Sequence, residues 1–465
     1  MDRRKFLECA AMAAGGVATN GFAEKARAKA IGQSQPALLG DPKSLREKIL
    51  AEARRIFSLN LVNSEIGKFH LPSNTNYPRF FAWDSGWNII SQSAFDPEGA
   101  YQELAAIFKG LQVESGYIAH EALVPEFPKA KDPTFQMLGN DYFDAQGRCR
   151  IIDPPSFLVA AEVLYTKTKD ARILALLPKM QKCLDYLTGP RDLFGDGLVS
   201  IIHPWEAGTD LAPVFDEPFG VNVNNPVSFV KIGMKFKKFI TDAYGDDWDL
   251  KKIAARNEFV FEDLCMNSLT AAGAASMSNL YLAAGQKENA DKCKAIAQKM
   301  NSAMERICWD NEAGFFFPRW DLKKKKIAKR TSVPGMLPLL TGMVSQEKAQ
   351  RVIDNYLLSP DQFWGPWLVP FNSIKEMKAE NTMFVRAELW RGPCIWINMN
   401  WMAARVAAKY GRLDVAKKIT KNTAAMIANN GFREYYNPDT GKGQGAINFT
   451  WPALALDMID EYGLA

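Results

Sequence analysis

Carboxylic acids set among aromatic rings recur at three places in the sequence. YPRFFAWDSGW (77–87) holds Asp84 between Trp83 and Ser85, IIHPWEAGTDLAPVFD (201–216) carries Glu206, Asp210 and Asp216, and GFREYYNPDTGKGQGAINFTWPAL (431–454) surrounds Glu434 with tyrosines, a phenylalanine and an arginine. A fourth stretch, ELWRGPCIWINMNW (388–401), adds Arg391 among tryptophans. Two carboxylates far apart in sequence, each in an aromatic loop, suit glycoside hydrolysis. That reaction needs one protonated acid for the leaving oxygen and one ionised carboxylate to activate water or attack. Aromatic surroundings desolvate an acid and raise its pKa, as the proton donor requires. The supply of rings, 12 Trp and 28 Phe in 465 residues, is rich, and pyranose faces stack on such rings. Each residue also has a purely structural reading. Asp84 could be a helix N-cap, Asp216 could close a turn with Glu217-Pro218, Glu434 could pair with Arg433, and Arg391 could hydrogen-bond a loop.

The elements that must position these residues are helical. FLVAAEVLYTKTKDARILALLPKMQKCLDYL (157–187) reads as two amphipathic helices, and Phe229, Ile232, Phe236 and Phe239 recur at helical spacing behind Pro226. Residues 267–300 and 397–430 each read as a long helix ending in a glycine, Gly285 or Gly411, followed by a second helix. Helix starts fall near residues 43, 86, 97, 155, 171, 226, 264, 286, 345, 393, 412 and 450. Twelve helices as six hairpins predict an all-α toroid over one domain, residues 40–465. The long stretches 70–86, 114–154, 189–225, 358–392 and 431–449 are its functional loops. The run Lys323 to Lys326 after GFFFPRW predicts the turn of a small β-hairpin insertion.

Composition excludes several classes. A net charge of +5 with one dense basic run does not suit nucleic acid. The three histidines, His70, His120 and His203, are scattered, so no metal site built by the protein is expected and no cofactor is implied. Residues 1–30, MDRRKFLECAAMAAGGVATNGFAEKARAKA, resemble a twin-arginine export signal: Arg3-Arg4, then Phe6-Leu7, a short apolar run and small-residue sites. A periplasmic mature protein, without a membrane segment or lipid at Cys9, is the expectation. The six remaining cysteines are expected to be mostly free and buried, because that route carries proteins already folded in a reducing cytoplasm.

FFAWDSGW, GYIAHE, HPWEAGTD, LWRGPCIWINMNW and GFREYYNPDTG, in this order over residues 80–441, resemble the catalytic domain of glycoside hydrolase family 63. The likeness is to its bacterial α-glucosidases and mannosylglycerate hydrolases, with trehalases more distant. It implies an (α/α)6 barrel and metal-independent, inverting hydrolysis of α-glycosidic bonds from the non-reducing end. It further implies Asp210 as general acid and Glu434 as general base. Asp84 would hold hydroxyls of the terminal sugar, helped by Trp83, Trp87, Trp205, Trp390, Trp396 and Arg391, with His120, Glu206, Asn398 and Tyr435 of the same motifs. Two departures stand out: WEAGTDLA where the family commonly reads WESGxDNS, and Asp153-Pro154-Pro155 where Gln-Pro-Pro is usual. Both principal acids remain.

The expected activity is therefore an exported, exo-acting, inverting α-glycosidase that releases glucose or mannose from a small α-linked disaccharide, oligosaccharide or glycoside. An inverting phosphorylase would need a phosphate cradle, and no glycine-rich one is evident. A non-catalytic sugar-binding protein on the same fold would have Asp210 or Glu434 turned away from the site. A polysaccharide lyase would want a Tyr/His base pair and a basic cleft.

Overall fold

The computed structural model describes residues 42–125, 132–221, 226–379 and 389–464. The segment read as an export signal, with Arg3, Arg4 and Cys9, lies outside the described residues. Six elements close a ring, each packed on the next: helices Ala82–Gln92, Ser156–Thr168 and Leu264–Ala283, the 3-10 stretch Val333–Thr341, and helices Ile397–Lys409 and Leu454–Tyr462, the last returning to the first. Between them in chain order come the outer helices Pro42–Asn60, Pro97–Ala106, Leu177–Thr188, Lys287–Ile307, Gln346–Val352 and Leu413–Asn430. This alternation is the (α/α)6 barrel that the motifs implied.

The two rings differ in sequence as their neighbours demand. Leu264–Ala283 touches protein on nearly every side, and LCMNSLTAAGAASMSNLYLA is accordingly apolar or small almost throughout. Its outer partner Lys287–Ile307 buries a stripe of Ala290, Cys293, Ala297, Met300 and Met304 and is otherwise rich in charge.

Two expectations about the ring need correction. The helix over Pro226–Gly245 is not a barrel element. It packs on Pro133–Leu138, Gly139–Asp141 and Asp216–Phe219, with Phe236 and Phe239 against Phe219 and His203. It therefore braces the loop that carries Asp210. The uncounted inner element is Val333–Thr341, VPGMLPLLT, where Pro334 and Pro338 break the helical hydrogen-bond pattern while the apolar side chains remain buried. Among the described residues the two rings still hold twelve elements.

The small hairpins also form. Arg319–Trp320 pairs with both Lys326–Ile327 and Phe261–Glu262, leaving Lys323 to Lys325 at the turn. All six cysteines among the described residues are buried, and no disulfide joins any two of them.

Candidate active site

Glu434 sits on strand Arg433–Tyr436, paired antiparallel with Gly443–Ile447, and the register slips between Arg433 and Tyr435. Such a bulge re-aims a side chain. Arg433 turns to the other side and donates to the Gly445 carbonyl at 2.8 Å. The buried Glu434 carboxylate accepts from the Tyr77 hydroxyl at 2.6 Å on Oε1 and from the Ala446 amide at 2.7 Å on Oε2.

Asp210 follows the 3-10 turn Pro204–Ala207, which His203 caps by accepting from the Trp205 amide at 3.2 Å. Gly208 then takes φ +68°, and a Cβ there would lie 3.1 Å from the Trp83 ring. That close approach seats the loop on Trp83. Burial pushes the Asp210 carboxyl up to about 6, with Glu434 adding to the rise and His120 opposing it.

Asp84 lies in the first turn of helix Ala82–Gln92, but the N-cap is Phe81 and makes no side-chain cap, so the capping role falls away. Burial and then the charge of Asp153 push its carboxyl well above the usual range. Asp153 accepts from the Trp83 amide at 2.9 Å. Its other oxygen lies 3.0 Å from His120 Nδ1, in an ion pair. Burial opposes charge on His120, but Asp153 outweighs it and lifts the imidazole to about 9. Burial lifts Asp153 to about 6, and His120 limits the rise. Near neutral pH the pair is therefore charged.

These groups form one cluster. The charges of Glu434, Asp210 and Asp84 all act on Tyr77, and Glu434 also acts on both Asp84 and Asp210. The motifs of residues 77–87, 201–216 and 431–454 thus converge.

The aromatic wall is continuous. Trp83 meets Trp451 edge-on at 6.0 Å, Trp396 stacks on Trp390 at 3.6 Å and 7°, and Tyr435 leans on Trp396 at 5.0 Å. Trp205 is half-buried against His203 and Tyr142. Trp396 Nε1 and Asn398 Nδ2 are buried without a hydrogen-bond partner among the described residues.

Three of the residues expected at the sugar are paired or packed within the protein. Glu206 is fully buried, pairs with Arg191, and accepts from the amides of Ile152 at 3.1 Å and Ile202 at 2.6 Å. It ties the acid loop to the Asp153 loop. The Arg391 guanidinium forks onto Asp216 at 2.7 and 2.6 Å, the loop-tying role that is its alternative reading, and Asp216 opens the turn Asp216–Phe219 with Glu217-Pro218. Trp87 is fully buried between Trp83 and Trp401. Two further members are Tyr77, at the start of YPRFFAWDSGW, and Asp153, ahead of Pro154-Pro155. No sequence signal sets Tyr77 apart from its neighbouring rings.

A converging set of carboxylates walled by tryptophan on an (α/α)6 barrel is the site of a glycosidase. The model of the mannosylglycerate hydrolase MGH1-like glycoside hydrolase domain matches residues 77–452, and the chain belongs to that family. A mannosylglycerate hydrolase of Thermus thermophilus is 30% identical over 84% of this chain and 96% of its own length. Mannosylglycerate hydrolase MGH1 of Selaginella moellendorffii is 26% identical over 88% of this chain and 85% of its own. The crystal structure of a family 63 mannosylglycerate hydrolase from Thermus thermophilus with Tris and D-glycerate matches with a TM-score of 0.74 and 26% identity. It covers 90% of this chain and all of that one. The neutral trehalase Nth1 of Saccharomyces cerevisiae shares the fold at a TM-score of 0.55 and 14% identity, covering 88% of this chain and 79% of its own.

Proposed function

We propose that the chain is an exo-acting, inverting α-glycoside hydrolase that releases a terminal mannose or glucose from a small α-glycoside. Mannosylglycerate is the first substrate to test, because the relatives named above act on it. The observation that carries the reading is the contrast between two neighbouring acids. Asp210 is buried with its carboxyl raised to about 6, while Glu434 takes hydrogen bonds on both oxygens from neutral donors, which favours its ionised form.

The reaction follows from that contrast. Asp210 gives its proton to the glycosidic oxygen as the bond to the anomeric carbon breaks. Glu434 takes a proton from water, whose oxygen attacks the anomeric carbon from the opposite face. The products are the sugar with inverted configuration and the free alcohol. A water molecule, and then a proton returned from Glu434 to solvent and one regained by Asp210, balance the cycle. Asp84 holds sugar hydroxyls, and Trp396 Nε1 and Asn398 Nδ2 supply further donors that a bound sugar would satisfy.

A panel of α-mannosides, α-glucosides, mannosylglycerate, glucosylglycerate and trehalose tests the substrate. One terminal sugar released per cut supports the reading. Sugar phosphate formed only with added phosphate, or random mid-chain products, would overturn it. Export rests on Arg3-Arg4 with Phe6-Leu7. Changing both arginines to lysine should hold the protein in the cytoplasm, and undiminished periplasmic recovery would refute that.

A further inference from the structure

The loop before the first inner helix is fastened to the strand beside Glu434. Ser73 Oγ donates to the Ile447 carbonyl at 2.9 Å, the Thr450 amide to the Pro72 carbonyl at 3.0 Å, and Asn60 Nδ2 to the Asn448 carbonyl at 2.8 Å. Within this frame the Tyr77 amide donates to the Ser73 carbonyl at 3.0 Å. The Tyr77 ring stands edge-on between Phe81 and Phe449, with centroids at 6.2 and 5.9 Å. Its hydroxyl therefore reaches Glu434 from a fixed direction. The second donor, the Ala446 amide, reaches the carboxylate only because residue 445 is glycine. Gly445 has φ +66°, and a Cβ there would collide with Glu434 Oε2 and the Tyr435 ring.

We propose that Tyr77 is a positioning residue for the water-activating carboxylate: its phenol, acting with the Ala446 amide, fixes the rotamer of Glu434 and determines that Asp210, not Glu434, keeps the proton the two acids compete for. The inference rests on the reading of Glu434 as general base. Like charges close together favour protonation of one partner, and the partner with fewer donors takes the proton. Burial first, and then the charge of Glu434, raise the phenol's own pKa well above 10, so Tyr77 remains a neutral donor across the working range.

The test is Tyr77→Phe, which keeps the ring and removes only the donor. Losing a hydrogen bond to the ionised form makes that form less stable, so the acid limb of the kcat/KM profile should move up by about one pH unit. Turnover at pH 5 should fall by several-fold, up to about tenfold, with KM changed less than about threefold. A readout without turnover is the 13C titration of the Glu434 carboxyl, assigned with Glu434→Gln, whose midpoint should rise in the variant. A phenol that merely supported the loop, or bound sugar, would lower the yield of folded protein or raise KM and leave both titrations in place. An unmoved midpoint in an active enzyme overturns the assignment. A shifted midpoint in a protein that cleaves no glycoside overturns the hydrolase reading and leaves the effect of Tyr77 on Glu434 standing.

Discussion

Arg391 and Asp216 form a two-pronged ion pair, Nη1 to Oδ1 at 2.7 Å and Nη2 to Oδ2 at 2.6 Å, and so lock the loop of the acid Asp210 to the loop of the stacked tryptophans. The guanidinium is buried, and its planar fork matches a carboxylate as a lysine ammonium does not. Asp216→Asn breaks the charge-matched fork and should destabilise the protein by about 2–4 kcal/mol. Arg391→Lys should lose much of the same stability. Thermal unfolding checks both, and a melting temperature equal to that of the wild type would contradict the role of the pair.

Activity should fall on the alkaline side. As the proposed general acid Asp210 must be protonated to act, and burial raises its carboxyl to about 6. The logarithm of kcat/KM should therefore decline with unit slope above about pH 6, one tenfold loss per pH unit. A profile flat to pH 8 would show that another group supplies the proton.

Stability carries the opposite sign at the same residue. An acid whose folded pKa is raised binds its proton more tightly folded than unfolded, so its contribution is full below the unfolded value near 3.8. It is lost as pH rises towards the folded value of about 6. Asp210→Asn should thus stabilise the protein by about 3 kcal/mol at pH 7.5 and by much less at pH 3.5. Equal melting temperatures at pH 7.5 would mean that Asp210 is not held in a desolvated place.

The two acids should part company when replaced by amides. Asp210→Asn and Glu434→Gln should each lower turnover on a natural glycoside by at least ~10²–10⁴. A glycosyl fluoride needs little protonation of its leaving group, so it should restore Asp210→Asn far more than Glu434→Gln. Equal rescue, or rescue of Glu434→Gln alone, would reverse the roles.

Much of this was legible in the residues because helical periodicity and aromatic clustering are local signals. Leu264–Ala283 and Lys287–Ile307 could be read as a hairpin from spacing and Gly285 alone. Val333–Thr341 escaped because two prolines erase helical propensity while tertiary burial still holds the segment in a tight helical turn. The Pro226–Gly245 helix was misplaced for the complementary reason: an apolar stripe shows that a helix packs, not what it packs on. At the site, residue type marked the acids, but partner choice depends on contacts far apart in sequence. Arg391 resembled a sugar ligand until its fork met Asp216, and Glu206 resembled a pocket acid until it met Arg191. Asp153 shows the reverse case. Its departure from the usual glutamine was visible in the motif, whereas its pairing with His120 needed the fold to bring residues 120 and 153 together.

The stereochemistry of the first-formed product tests the central claim most directly. Proton NMR should follow the anomeric signals during rapid cleavage of an α-mannoside or α-glucoside that the enzyme accepts. Water delivered by Glu434 opposite the bond that Asp210 protonates must give the β-anomer first, with the α-anomer growing in only as the free sugar mutarotates. Initial appearance of the α-anomer would contradict the account, because it requires a covalent intermediate or attack from the same face.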